Sequence, residues 1–159
     1  MYRFTGGSDG AYPVSGLVDV NGTLYGTTFE GGGSGCYSHL GCGTVYSISP
    51  SGAEKVLYRF SGGSDGSNPA AALIDVDGVL YGTTARGGGS GCGGFGCGTV
   101  YSIGTAGTET VLHSFGGEPD GADPVAALVD VKGALYGTTA SGGRGCGSSG
   151  CGTVFALTP

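Results

Sequence analysis

Three stretches of this chain are close copies of one another. Leu24–Ile48 reads LYGTTFEGGGSGCYSHLGCGTVYSI, Leu80–Ile103 reads LYGTTARGGGSGCGGFGCGTVYSI, and Leu135–Leu157 reads LYGTTASGGRGCGSSGCGTVFAL. Tyr25, Tyr81 and Tyr136 stand 56 and 55 residues apart, and Asp9, Asp65 and Asp120 repeat the same two steps. A chain written with one period is an array of like units, each of which buries its apolar surface on its neighbours. The 159 residues therefore form a single repeat region, with repeat 1 at about 1–56, repeat 2 at about 57–111 and a truncated repeat 3 at about 112–159. The period slips only between the paired cysteines, where Cys36–Cys42 is one residue longer than Cys92–Cys97 and Cys146–Cys151. Length changes of that kind belong in surface loops, where they disturb no packing.

Without the period the composition would mislead, since 39 glycines and 6 prolines suggest disorder. Here the glycines recur at fixed places. Between them lie runs of Val, Ile, Leu, Tyr and Thr, residues suited to a pleated and packed surface. Each copy offers four strand candidates. In the second they are AAALIDV, VLYGTT, GTVYSI and TETVLHSF, with EKVLYRF as the counterpart of the last one repeat earlier. Asn21-Gly22 and Asp77-Gly78 between apolar residues are strong hairpin signals, whereas Lys132-Gly133 is a weaker one.

The alternation decides the fold class. Tyr46 and Ile48 are predicted to share one face of the third strand, with Val45 on the other; Val56, Tyr58 and Phe60 share a face of the fourth, with Leu57 opposite. A sheet that is apolar on both faces must be covered on both. No helical period supplies the cover, so other sheets must. The predicted architecture is all-β: a β-propeller of three four-stranded blades per chain.

The inner hairpin GLVDVNGTLYGTT resembles blades of the NHL type. The whole pattern, F-x-G-G-x-D-G … P … D-V-x-G-x-L-Y-G-T-T … G-G … C-G-T-V-[YF], resembles the GloVer-type tandem repeat of bacterial secreted and surface proteins. That resemblance implies an extracytoplasmic repeat region and carries no activity with it. MYRF begins inside a repeat, with Met1 where Leu57 and Leu112 stand later, and shows no signal peptide. The closeness of the copies is also what a designed or reconstructed symmetric chain would show.

Three blades are too few for a ring, which usually takes four to eight. The chain opens in a fourth strand, Met1–Phe4, and stops after a third, Gly152–Leu157. The expectation is closure by oligomerisation: the first strand of one molecule completes the last blade of another, and two chains make a six-bladed homodimer. A monomer closed by its own ends, a nine-bladed trimer and an open array are the alternatives.

The six cysteines form three local pairs in the loops joining second and third strands. They are expected as disulfides Cys36–Cys42, Cys92–Cys97 and Cys146–Cys151, in an oxidising, extracellular or cell-surface compartment. Zinc would need four ligands about one point. Each loop has two cysteines, and only the first adds a histidine, His39, so no metal is expected.

Candidate chemistry is sparse. The net charge of −6, with six scattered basic residues, argues against nucleic acid, and no apolar run is long enough to span a membrane. His113 stands where Tyr2 and Tyr58 stand, as a strand packing residue, and no serine or cysteine nucleophile accompanies either histidine. The repeated acids Asp9, Asp65 and Asp120 read first as turn caps and second as a ring of ligand-binding carboxylates. Arg86, Tyr37 and Phe95, with Tyr12 and Phe29, are the loop side chains best suited to stacking on or bonding a glycan. No catalytic residue and no cofactor is expected. The predicted function is a non-catalytic extracellular module for scaffolding, recognition or adhesion. A lectin-like binder with one glycan or small-ligand site per blade is the alternative, and a polysaccharide-active enzyme is the less favoured one. Near-identical copies suit multivalent weak binding better than a single asymmetric active site.

Overall fold

The computed structural model describes residues 1–36 and 40–159. Each repeat is an antiparallel meander. The first sheet runs β1 (Val18–Val20), β2 (Thr23–Thr28), β3 (Thr44–Ile48), β4 (Glu54–Arg59), in that order. The second runs β5 (Ile74–Val76), β6 (Val79–Thr84), β7 (Thr99–Gly104), β8 (Glu109–Ser114), and the third has three strands, β9 (Val129–Val131), β10 (Ala134–Thr139) and β11 (Thr153–Leu157). The short strands β1 and β5 approach each other, which places the inner edges of these blades on one side.

The inner hairpins close alike in all three copies. Asn21, Asp77 and Lys132 adopt left-handed φ of 52°, 53° and 55°. Asp19, Asp75 and Asp130 accept the backbone N–H of Gly22, Gly78 and Gly133 at 2.8, 3.0 and 3.0 Å. The weak Lys132 signal is thus overcome by the aspartate two residues earlier, which ties the turn from its first position. The glycine inside LYGTT has a steric cause. A Cβ on Gly26 or Gly82 would lie 2.7 or 2.6 Å from the hydroxyl of Tyr46 or Tyr101 on the next strand, so only glycine lets the ring lie across β2 or β6.

The core consists of two seams between sheets. In the first, Val18, Val20, Tyr25, Val45, Leu57, Tyr58 and Phe60 of the first blade meet Leu73, Leu80, Tyr101 and Ile103 of the second. In the second, Ile74, Val76, Tyr81, Val100, Leu112 and Phe115 of the second blade meet Leu128, Leu135, Phe155 and Leu157 of the third. The second sheet therefore has a leading face that receives the first sheet and a trailing face that receives the third. Phe60 packs edge-on to Tyr101 at 5.1 Å, and Phe115 to Phe155 at 5.1 Å.

Three sequence expectations need correction. Met1–Phe4 forms no regular strand, because the blade in which it would pair is not in this chain; even so, Phe4 meets Tyr46 edge-on at 4.9 Å, as Phe60 meets Tyr101. Only the last three residues of AAALIDV pair as a strand. Leu57 does not oppose Tyr58 across the sheet. The β3–β4 register shifts between Val45 and Tyr46, whose partners are Tyr58 and Val56, leaving Leu57 as the bulged residue, and both Leu57 and Tyr58 reach the first seam. The same shift recurs between Val100 and Tyr101.

Candidate functional site

The turn leading into each blade is held by its aspartate. Asp9 accepts the backbone N–H of Thr5 at 2.8 Å, the Thr5 hydroxyl at 2.7 Å and the Tyr2 hydroxyl at 3.0 Å. Asp65 repeats this with Ser61 N–H, Ser61 Oγ and Tyr58 at 2.8, 2.6 and 3.1 Å. Asp120 accepts Gly116 N–H at 2.9 Å and pairs with His113 Nε2 at 3.1 Å. Burial pushes the Asp9 carboxyl up, but the Thr5 and Tyr2 hydrogen bonds win and hold it below its ordinary value. Burial first, and the Asp9 bond second, push the Tyr2 phenol up to about 12.

The disulfide loop packs on the next repeat's turn. All three expected disulfides form. Gly31, Gly87 and Gly142 donate N–H to Leu40, Phe95 and Ser149 at 2.6, 2.9 and 2.7 Å, so these three loop residues are structural equivalents despite the differing loop lengths. The carbonyl of Cys42 then accepts Asn68 N–H of the following repeat at 2.8 Å, and that of Cys97 accepts Asp123 N–H at 3.0 Å.

Turn and loop enclose clefts at equivalent places. One, of about 440 Å³, is lined by Gly116, Gly117, Ala122, Asp123, Ser141 and Ser149, with Cys92 and Gly93 of the preceding disulfide loop as its far wall. The other, of about 580 Å³, is lined by Thr5, Gly6, Ala11, Tyr12, Glu30 and Leu40, the same positions two repeats earlier. In repeat 2 these positions carry Ser61, Gly62, Ser67, Asn68, Arg86 and Phe95. The copies differ most in chemistry here. One position is Tyr12, Asn68 or Asp123, another Glu30, Arg86 or Ser141, and a third Leu40, Phe95 or Ser149. At the first, all three residues have positive φ, of 55°, 58° and 55°. Asn and Asp tolerate that conformation, but for tyrosine it costs about 1–2 kcal/mol, which glycine would avoid.

Of the sequence candidates, Arg86 and Phe95 come together, with the guanidinium carbon 5.6 Å from the ring centre. Asp9, Asp65 and Asp120 stay apart, one in each turn. Tyr37 lies outside the described residues, as does His39. The rim residues Glu30, Leu40, Asp123, Ser141 and Ser149 were missed. Their signal was available: they are the positions at which otherwise similar copies disagree. Among the described residues no group of three or more His, Cys, Asp and Glu side chains could hold a metal ion, and no helix is long and apolar enough to cross a membrane.

A model of the Gloeobacter/Verrucomicrobia repeat matches residues 41–159, well over half of the chain, and the chain belongs to this family. No curated protein matches it significantly.

Proposed function

We propose that this member of the Gloeobacter/Verrucomicrobia repeat family is a non-catalytic recognition module of a secreted or cell-surface protein, which presents one cleft per repeat to an extended ligand. The observation that carries the reading is the pairing of an unchanging frame with a changing rim. The LYGTT and GTV blocks, the turn aspartates and the disulfides recur, while the cleft side chains switch between aromatic, amide, acid and base. A left-handed tyrosine where glycine would fit more cheaply indicates a side chain kept for what it touches. Three disulfides in a chain of this size suit an oxidising compartment, which supports an exported location.

The chemistry of the rim favours a glycan. Tyr12 is 63% exposed beside Glu30 in the first cleft, and Arg86 stacks on Phe95 at the equivalent positions of repeat 2. Flat rings flanked by hydrogen-bonding charges suit sugar faces and hydroxyls. The test is a glycan array probed with the labelled 159-residue chain and with Tyr12→Gly and Arg86→Ala. Tyr12→Gly relieves the backbone, so its fold persists while its array signal falls at least several-fold. Absence of any glycan signal, or signals unmoved by both substitutions, would overturn the reading.

A further inference from the structure

At the cleft positions of repeat 2 the chain holds a hydroxyl that nothing in it satisfies. Repeats 1 and 3 carry Ala11 and Ala122 there, and both line their clefts. Repeat 2 carries Ser67, whose side chain is wholly buried and whose Oγ has no hydrogen-bond partner among the described residues. A dry hydroxyl without a partner costs stability, and the large majority of buried polar groups in folded proteins are paired. Alanine serves the frame in the other two copies, so the frame does not ask for the hydroxyl.

A second donor stands across from it. Ser67 and Arg86 form an antiparallel bridge in which each amide donates to the other's carbonyl, at 2.8 and 3.1 Å. Side chains directly opposed in such a bridge leave on one face, as Ala122 and Ser141 do in lining the third cleft and Ala11 and Glu30 in lining the first. Arg86 is exposed, and its guanidinium lies over the Phe95 ring, 5.6 Å from the centre. Among the described residues it pairs with no carboxylate. A cation on an exposed ring face is weakly held, so Arg86 can turn from Phe95 toward a ligand and open the way to Ser67.

We infer that repeat 2 recognises an anionic group on the glycan, a carboxylate or a sulfate, through the Arg86 guanidinium and the Ser67 hydroxyl, with the sugar ring against Phe95. An anion accepts from both donors at once, and the guanidinium fork matches its oxygens. A neutral hydroxyl would satisfy Ser67 and leave the cation uncompensated. The other two copies make the opposite demand. At the Arg86 position repeat 1 has Glu30, whose Oε2 is buried without a partner, and repeat 3 sets Glu118 and Asp123 beside Ser141. Carboxylates there disfavour an anion, so the acidic group falls to the middle copy. This inference rests on the recognition reading and narrows its ligand to an acidic glycan.

The experiment is isothermal titration calorimetry of the oxidised chain with a galacturonate tetramer, the same tetramer reduced at its carboxyls to neutral galactose, and a sulfated galactose tetramer. At least one anionic tetramer is expected to bind about 10-fold or more tighter than the neutral one, and the two anionic arms show which group the site takes. Arg86→Gln brings the anionic tetramer to the affinity of the neutral one. Ser67→Ala weakens the anionic tetramer about 10-fold and leaves the melting temperature of the free chain unchanged or higher, because it removes a dry hydroxyl and installs the side chain of the other copies. A merely structural Ser67 would instead lower the melting temperature and leave the ratio of anionic to neutral affinity unmoved. Equal affinities for the three tetramers, a preference that survives either substitution, or no binding of any tetramer by a chain that binds other glycans on the array would overturn this inference and leave the recognition reading standing. Absence of all glycan binding overturns both.

Discussion

Replacing Thr84 with valine tests how the frame holds turn, strand and disulfide loop in register. Thr84 and Thr99 are wholly buried at the ends of β6 and β7. The Thr84 hydroxyl donates to Arg86 O at 2.9 Å, faces Thr99 Oγ1 at 2.8 Å and accepts Thr99 N–H at 3.1 Å. A Cβ on Gly66 would run into the same hydroxyl, with Thr99 Oγ1 at 2.8 Å, so the lead-in turn rests directly on this pair. Valine keeps the shape, which removes cavity formation from the comparison. It leaves the Thr99 hydroxyl and amide without this partner in a dry site, at about 1–3 kcal/mol each, so Thr84→Val should cost about 2–6 kcal/mol. Arg86 O is spared, because Ser67 N–H still reaches it at 2.8 Å. Thr99→Val leaves Thr84 with Arg86 O and should cost about 1 kcal/mol. The double variant has no stranded Thr99 hydroxyl and should fall short of the sum by about 1–2 kcal/mol. Urea midpoints from circular dichroism, at one protein concentration and with unchanged m, give these values. A Thr84→Val cost under about 0.5 kcal/mol, or strict additivity, would refute the assignment of the frame to this buried hydroxyl pair.

Three further outcomes follow from the same contacts. Burial, then repulsion from Asp65, raises the Glu109 carboxyl, against the Tyr58 hydrogen bond that lowers it. The folded state therefore favours protonated Glu109, and stability is lost as pH rises through its folded pKa. Glu109→Gln should raise the melting temperature at neutral pH and change nothing below about pH 4, where both forms are neutral, as scanning calorimetry across pH would show. Asp9 has the opposite sign: its carboxyl is lowered, so its contribution is present at neutral pH and fades as pH falls through the folded value. An Asp9→Asn variant should lose stability at pH 7 and converge on the wild type in acid. Replacing Cys92 and Cys97 together by serine opens a loop of separation 5 and should cost about 2 kcal/mol in the chain-entropy account, measured by thermal melting without reductant.

What could be read from the sequence was whatever one repeat decides alone. The hairpins, the LYGTT strand and the disulfides rest on neighbours within a few dozen residues, and their residues say so. The bulge at Leu57 was not readable, because strict alternation is the default and nothing in EKVLYRF marks an extra residue. The left-handed Tyr12 even runs against its neighbour, since Pro13 favours an extended backbone before it. What overrides that preference in the later copies is a bond across the repeat boundary, Asn68 N–H to Cys42 O and Asp123 N–H to Cys97 O. The clefts were hidden for the same reason. In repeat 3 the walls come from two repeats, and a pattern search within one repeat never sets Gly117 beside Cys92.

That boundary bond also explains why frame and rim diverge. At the Tyr12, Asn68 and Asp123 position the structure makes its demand on the backbone: a left-handed φ that aims the N–H at the preceding cysteine carbonyl. The side chain is left to the cleft. At Val45 and Val100 the reverse holds, because the side chain is the contact and the next sheet leaves it no room. Residues that join one repeat to the next cannot change without every copy feeling it, whereas residues whose backbone does the joining can change one copy at a time. A repeat built this way varies its binding surface without touching its seams.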